Sequence, residues 1–407
     1  MKKNQFWTVR YALINATYFA AFCGVHAYAS VFLLHHGFTN TQIGILLAVA
    51  NVLSVLIQPV IAGMIDKKGK LTNRNVSIFS TVSMMILSAL LFVIRTDKMA
   101  IFIIYAIIYM IQMAYQPLII AMNFEYAQKG CNINFGLARG IGSVGFAVFS
   151  TIMGNVLVNS TVYSLQIAVL IVLFVALVLL VTFVAPESEV KAAETEEEIA
   201  VAHNNIFDFA KHYPKFMFLL LATACLFIGH NMLNDFMIQI ITPIGGDERH
   251  LGYIVSIAAV LELPTMAFFV TLSKKINSGR LLQASAVFFT IKIFILYLAT
   301  GLFGAYASTV CQIAAYALFI PASAYYVNQI MEEMDQVKGQ AYINCAVTLG
   351  GVCSNLFAGK VLDVSGPKTM LLLGVIISAV GVVIALFSVE IKKCMVDLKN
   401  SLDNSFT

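Results

Sequence analysis

Charged residues are scarce in this chain, and the common catalytic motifs are missing from it. Only 11% of its 407 residues are charged, against about 25% in a soluble domain, which excludes a soluble globular protein. The seven cysteines form no CxxC pair and no metal-ligand spacing. There is no GxxxxGK(S/T) nucleotide-binding loop and no nucleophile–base spacing. The sequence therefore predicts no enzyme, no catalytic residues, and no cofactor, metal or nucleic-acid partner.

Long hydrophobic runs are what the chain has instead, since 60% of its residues are hydrophobic. A spanning helix needs about 20 mostly apolar residues, and the runs predict an all-α membrane protein of twelve spans. The first run is longer than the apolar part of a signal peptide, about 7–15 residues, so we expect it to remain as the first span. The twelve predicted spans are 11–34, 42–65, 76–94, 99–122, 135–158, 162–185, 216–241, 251–272, 281–299, 305–330, 341–361 and 370–389.

One polar gap divides these spans into six and six. It is rich in glutamate and cannot bury a core. We predict an N-terminal six-helix bundle over 1–185, a cytoplasmic linker over 186–214, a C-terminal six-helix bundle over 215–392 and a cytoplasmic tail over 393–407.

Lysine and arginine set the expected orientation, because they concentrate in cytoplasmic loops. With the N-terminus inside, most of them lie on the cytoplasmic side, and only Arg139 and Lys292 fall within spans. We therefore predict a multi-pass protein of the plasma membrane (bacterial inner membrane), in contact with lipid, with both termini cytoplasmic, and monomeric. The outer side holds only Arg95, Lys98, Arg249, Lys360 and Lys368.

The two halves also resemble each other. The segment Gly63–Lys70 after the second span is matched by Ser273–Arg280 after the eighth, and the glycine run of the fifth span by Leu349–Gly359 in the eleventh. Two inverted or parallel repeats around a central site are typical of alternating-access transporters.

At these positions the chain resembles the major facilitator superfamily. Asp66-Lys67-Lys68-Gly69-Lys70 looks like its signature between the second and third helices, although the glycine expected at Ala62 is displaced to Gly63. Within the superfamily it resembles the branch of the lactose permease and the oligosaccharide and nucleoside proton symporters. The stretches that carry this resemblance are Phe6-Trp7, Thr41-Gln42-Ile43-Gly44, Gln58-Pro59, Phe135-Gly136-Leu137-Ala138-Arg139, Leu261-Glu262-Leu263-Pro264 and Phe319-Ile320-Pro321.

The resemblance implies a major facilitator fold of two pseudo-symmetric bundles and roles for a few residues. Arg139 matches an arginine that binds sugar hydroxyls, and Glu262 a glutamate that serves substrate and proton. Asp235 matches an aspartate of the charge network, and Lys292 lies near the arginine beside the proton site. Separately from the resemblance, a carboxylate with clustered lysines at the cytoplasmic mouth can latch the two halves through charge and helix-end contacts, so we predict a conformational gate at Asp66, Lys67 and Gly69.

Other positions depart from the branch. The acidic partner of the fourth and fifth helices is replaced by apolar residues, with Glu125 about a turn further on. At the positions where the lactose permease has a histidine and a glutamate for proton coupling, this chain has Tyr316 and Phe319. The position of a lysine in the permease's eleventh helix lies near Val347. These departures argue against lactose itself as the substrate. The fifth helix also lacks the glycine–proline element of antiporters.

Ionisable side chains within the spans are the candidates for function. An arginine near mid-membrane costs about 2.5–3.5 kcal/mol or more, so Arg139 is expected to face a polar cleft, unless it snorkels to the headgroups. A carboxyl at Glu262 can carry a proton, or it forms a static ion pair with Lys292 or Arg139.

Hydrogen-bonding groups complete the candidate site. They either line a cavity for a polyhydroxylated or nucleoside-like ligand or only join neighbouring helices. Asp235 can instead serve in a gate or an ion pair. We predict that the solute binds at Arg139, Asp235, Asn231, His230, Gln112, Gln116, His26, Tyr325 and Asn328. We predict proton coupling at Glu262, Lys292 and Glu125.

The function predicted on these grounds is proton-coupled uptake of a small polar solute, a sugar, oligosaccharide or nucleoside, by alternating access. Sodium remains open as the coupling ion. The alternatives are proton-driven efflux of an amphipathic compound and a non-transporting membrane sensor.

Overall fold

The computed structural model describes residues 3–66, 71–185 and 206–391, and it is almost entirely helical, with no strand in these ranges. Helices dominate because backbone polar groups in lipid must be satisfied within the segment itself. The first half holds α1 (Lys3–Phe22), α2 (Ala29–His35), α3 (Asn40–Asp66), α4 (Asn73–Val93), α5 (Lys98–Ala114), α6 (Gln116–Gln128), α7 (Phe135–Leu157) and α8 (Tyr163–Thr182). The second holds α9 (Ile206–His212), α10 (Pro214–Asp235), α11 (Met237–Ile241), α12 (Glu248–Ser273), α13 (Ser278–Leu298), α14 (Leu302–Val310), α15 (Tyr316–Ile330) and α16 (Glu333–Ser388).

The number of spans is consistent with the predicted twelve. In the described ranges, ten helices are long and apolar enough to cross a membrane, and the pair Gln5–Ala27 and Ala29–His35, bent by 46°, would be an eleventh. Helix α16 has 56 residues and contains Gly366 at φ +76°, followed by Pro367. Glycine tolerates this left-handed conformation and proline cannot continue the hydrogen-bond ladder, so α16 contains two of the predicted spans.

Four predicted spans are broken in the structure. In the first span, the π-helical turn Cys23–Ala27 separates α1 from α2, and in the fourth, Tyr115 separates α5 from α6. In the seventh span, Phe236 separates α10 from α11, and in the tenth, the 3₁₀ turn Cys311–Ile313 separates α14 from α15. The interrupted spans are therefore the first and fourth of each half.

The chain forms two compact units. Unit 1 comprises the described residues up to 185 together with Asn234–Val260 and Asn355–Pro367, and unit 2 comprises the remaining described residues. Of the predicted linker, only residues from 206 onwards are described, and they begin with α9. The predicted tail 393–407 lies outside the described residues.

Glycines allow close helix contacts within each unit. In unit 1, a Cβ at Gly145 of α7 would lie 2.6 Å from the carbonyl oxygen of Ala16 in α1. In unit 2, a Cβ at Gly350 of α16 would lie 2.7 Å from the carbonyl oxygen of Ala224 in α10. The glycine run of the fifth span thus packs on the first span, and its repeat packs on the seventh.

Candidate functional site

Three polar side chains form a hydrogen-bonded chain inside unit 2. The Lys292 ammonium on α13 donates to Oε1 of Gln312 at 2.7 Å, and Nε2 of Gln312 donates to Oε1 of Glu262 on α12 at 2.7 Å. Lys292 and Gln312 are each only 4% exposed. Lys292 is thus linked to Glu262, the acid predicted as a partner, through the side-chain amide of Gln312.

The break in the tenth span positions this amide. Gln312 is the middle residue of the 3₁₀ turn Cys311–Ile313. Thr265 of α12 donates its hydroxyl to the carbonyl oxygen of Ile313 at 3.1 Å. Ser308 of α14 donates to the backbone carbonyl oxygen of Lys292 at 2.7 Å. The turn is therefore bonded to the helix of Glu262, and the helix that leads into the turn is bonded to the helix of Lys292.

His230 is enclosed by aromatic rings in the same unit. Its ring stacks on Tyr316, with centroids 5.3 Å apart and planes 6° apart, and meets the edges of Phe227 and Phe289. It is 3% exposed. Lys292 and His230 are close enough to interact electrostatically. Asn231, on the next position of α10, faces Gly351 of α16.

In unit 1, Arg139 turns toward the first span. Its guanidinium carbon lies 4.0 Å from the centroid of the Phe19 ring, a cation–π arrangement. Its Nη1 atom donates to Oγ of Ser143 at 3.2 Å, and the side chain is half-buried. The guanidinium is thus held against the protein, over the ring of Phe19.

His26 occupies the π-helical turn of the first span. Its ring lies between Phe22, at 4.1 Å between centroids and 8° between planes, and Tyr109, at 3.7 Å. Among the described residues, its Nε2 atom is buried without a hydrogen-bond partner. Turns of this kind are frequent at functional sites, which keeps His26 a candidate.

The two glutamines of the fourth span have different surroundings. Gln112 is fully buried; its Nε2 donates to the carbonyl oxygen of Tyr18 at 3.2 Å, and the Tyr18 hydroxyl donates to the backbone carbonyl of Gln112 at 2.9 Å. Gln112 therefore joins two helices, the structural alternative to solute binding. Gln116, at the start of α6, is half-buried.

Asp235 ends α10 in unit 1. Its backbone carbonyl accepts a hydrogen bond from Oγ of Ser30 at 2.5 Å, and its carboxyl lies beside the Asn355 amide and near Tyr109. Asn355 and Tyr109 are buried. Asp235 thus lies where segments from both halves of the sequence pack together, a position that suits a gate as well as a binding site.

Comparison with known proteins then decides the family. The sequence matches the family model described as MFS_1 like family over residues 9–373. The chain belongs to this family and is a membrane transporter of the major facilitator kind. This confirms the predicted family, the all-α membrane fold, the transport of a small solute and the absence of enzyme activity.

Two related sequences are also transporters by name. A protein of Deinococcus radiodurans described as a "putative sugar efflux transporter" is 28% identical over 145 residues, which cover 35% of this chain and 37% of that protein. The chain thus matches well under half the length of this relative. An "uncharacterized transporter", YwbF of Bacillus subtilis, is 22% identical over 325 residues, 79% of this chain and 78% of that protein.

Solved structures share the fold at low sequence identity. The nucleoside transporter NupG superposes with a TM-score of 0.73 at 15% identity, covering 94% of this chain and 98% of that one. A bacterial homologue of the human lysosomal transporter Spinster gives 0.67 at 14% identity, covering 96% of each chain.

The remaining predicted site and gate residues lie apart from the polar contacts described above. Tyr325 and Asn328 are exposed and lie three residues apart on α15. Glu125 accepts from the Lys129 ammonium at 2.8 Å and from the Asn73 amide at 3.1 Å. Asp66 is the last described residue of α3, and Lys67 and Gly69 lie outside the described residues.

Three residues that make polar contacts in the structure are not among the candidates that the sequence predicts. Gln312 is an amide within an apolar run, a signal of the same kind as Gln112. Asn355 lies within the second glycine run, Leu349–Gly359, and Asp363 looks like part of a loop. Nothing in the sequence shows that Asn355 faces Asp235 or that Asp363 contacts α3.

Proposed function

We propose that this transporter takes up a small polar solute, a nucleoside or a sugar, together with a proton by alternating access. It would be a monomer in the bacterial inner membrane with both termini in the cytoplasm. Its two six-helix bundles, 1–185 and 215–392, would be joined by the linker 186–214 and followed by the tail 393–407.

The observation that carries the proposal is the chain from Lys292 through Gln312 to Glu262. Ionisable groups within spans are costly and commonly mark ion or proton pathways. A carboxyl that alternates between a charged state, held by a donor, and a neutral state is what proton coupling needs. Glu262 is the candidate carrier, and Lys292 is the cation that stabilises its charged state.

The solute class rests on Arg139 and on the similar proteins. A guanidinium stacked on Phe19 presents N–H donors next to an aromatic face, which suits a ligand with hydroxyls and a flat ring or sugar face. NupG is described as a nucleoside transporter and the Deinococcus relative as a sugar efflux transporter. Both names support a small polar ligand of the nucleoside or sugar class.

Alternating access is supported by two close crossings in unit 1. A Cβ at Gly252 of α12 would lie 2.6 Å from the carbonyl oxygen of Ser150 in α7, and one at Gly44 of α3 would overlap with that of Asn355 in α16. Each crossing joins a helix of the first half of the sequence to one of the second. Contacts with so little side chain between them can separate and re-form without repacking a core.

A thermal-shift screen of the purified transporter tests the solute class. Uridine, other nucleosides, and mono- and oligosaccharides are tested, because a ligand at about 100 times its Kd adds about 2.7 kcal/mol of stability. We expect a hit among them that is lost in Arg139→Ala. A screen in which no nucleoside or sugar stabilises the wild type contradicts the solute class.

Efflux is the second candidate, favoured by the name of the Deinococcus relative. Cells that lack the transporter and cells that overproduce it are compared for accumulation of the solute found in the screen and of an amphipathic dye. Uptake predicts more solute in the overproducing cells, and efflux predicts less solute or less dye.

A further inference from the structure

We propose that Gln312 is a positioning residue for proton coupling, whose amide holds Glu262 in its charged form and ties it to Lys292. The proposal rests on the proposed proton coupling and names a residue that the sequence did not suggest.

The donor and acceptor atoms of the Gln312 amide fix which end of it faces each partner. Oε1 of a glutamine can only accept, and Nε2 can only donate. An ammonium donates and a carboxylate accepts, so the order of Lys292, Gln312 and Glu262 matches a charged residue at each end. A protonated carboxyl would be a poorer acceptor for the same N–H group.

The backbone of Gln312 has little freedom to follow a rearrangement. Thr265 bonds the turn itself to α12, and Ser308, three residues before the turn, bonds the end of α14 to α13, each by a side-chain hydroxyl. With its backbone held at the turn and its side chain buried, the amide contacts both partners in this geometry. Loss of the negative charge on Glu262 therefore weakens the hydrogen bond between Gln312 and Glu262, while the hydrogen bond between Gln312 and Lys292 remains.

Other titratable groups face the hydrogen-bonded set of Lys292, Gln312 and Glu262. On α13, Lys292 itself interacts with Glu262 of α12, with His230 of α10 and with Cys311 of the turn that carries Gln312. His230 is stacked among aromatic rings, and Cys311 adjoins the amide in sequence. Gln312 is the group that donates a hydrogen bond to the Glu262 carboxylate from this turn.

Infrared titration of the purified transporter tests the proposal without any solute. The C=O stretching band of the protonated Glu262 carboxyl is identified by its absence in Glu262→Gln. In Gln312→Met, which keeps the length and volume of the side chain, the carboxylate loses the hydrogen bond from the amide. We expect the band to reach half its height at a pH about one unit higher than in the wild type, a tenfold gain in proton affinity.

Two further variants make the result decisive. Gln312→Glu also removes the donor and adds a negative charge, so it should move the band in the same direction even if Gln312→Met does not fold. The matched control is Gln166→Met, because Gln166 on α8 is 5% exposed and neither of its amide atoms has a hydrogen-bond partner among the described residues. We expect it to titrate as the wild type.

Unchanged titration of Glu262 in the folded Gln312 variants would overturn the positioning role. This outcome is separate from failure of the proposed function. A shifted band together with no proton-driven flux would keep the role of Gln312 in holding Glu262 and would reject proton-coupled transport.

Discussion

The carboxylate of Asp363 caps the helix that begins beside Thr41. Its Oδ2 atom accepts from the backbone N–H of Thr41 at 2.7 Å and from the Thr41 hydroxyl at 2.6 Å. Its Oδ1 atom accepts from the backbone and side-chain N–H groups of Asn40 at 3.1 and 2.9 Å. A residue near the end of the eleventh predicted span thus satisfies the unpaired N–H groups of α3, more than three hundred positions earlier in the sequence.

Loss of this cap should loosen the start of α3. We expect Asp363→Ala to lower the free energy of unfolding by about 1 kcal/mol, the usual value of an N-cap, and to speed deuterium exchange at residues 40–44. Thermal unfolding and exchange mass spectrometry in detergent measure both effects. Asp97→Ala is the control, because Asp97 caps α5 locally; it should speed exchange at the start of α5 only. Unchanged exchange at 40–44 in Asp363→Ala would show that the cap is not significant.

A disulfide across the crossing of α7 and α12 should stop transport. Oγ1 of Thr151 and Oγ of Ser256 are 2.7 Å apart, so cysteines at both positions are close enough to be bridged. In a background without native cysteines, we expect oxidation of Thr151→Cys/Ser256→Cys to reduce uptake at least tenfold and reduction to restore it.

Each single cysteine variant is the control for this experiment and should not respond to oxidant. If the oxidised double variant transported as fast as the reduced one, the crossing would not open during transport.

The loop before α12 carries a pH-dependent cap. Burial raises the pKa of Asp247, but hydrogen bonds from the backbone N–H and the ring of His250 outweigh it, so the pKa is lowered from its ordinary value. A carboxylate with a lowered pKa contributes stability above the pKa of the unfolded chain, about 3.9, and that stability is lost as the pH falls through the folded value.

We therefore expect Asp247→Asn to melt at a lower temperature than the wild type at pH 7, with a difference that narrows below about pH 4. His250→Ala removes the ring hydrogen bond and should reproduce part of the effect. Melting curves measured at both pH values check this, and a difference that is independent of pH would contradict the account.

The sequence predicts the fold of this transporter better than its polar contacts. Apolar length predicts the spans, and the glycines of α7 predict close packing against a neighbouring helix, because both signals are local; that this helix is α1 comes from the structure. The break that places Gln312 depends on how α12, α13 and α14 pack. Its hydrogen bonds to Lys292 and Glu262 link positions 20 and 50 residues away, which no local pattern reports.

Burial of charged residues was also difficult to predict. Asp335 looks like part of a solvated acidic loop, but it is fully buried and accepts a hydrogen bond from the Tyr213 hydroxyl at 3.2 Å. The sequence predicts an ion pair between Lys292 and an acid, whereas in the structure Gln312 lies between Lys292 and Glu262. In both cases the deciding partner comes from a distant part of the chain.

Proton-driven uptake into proteoliposomes tests the central claim, that Glu262 couples the solute to a proton. Transporter is reconstituted with the labelled solute from the screen, uridine being the first choice, and the outer solution is made acidic. We predict that the wild type accumulates solute above equilibrium, while Glu262→Gln exchanges solute across the membrane but does not concentrate it. Full pH-driven accumulation by Glu262→Gln would contradict the account.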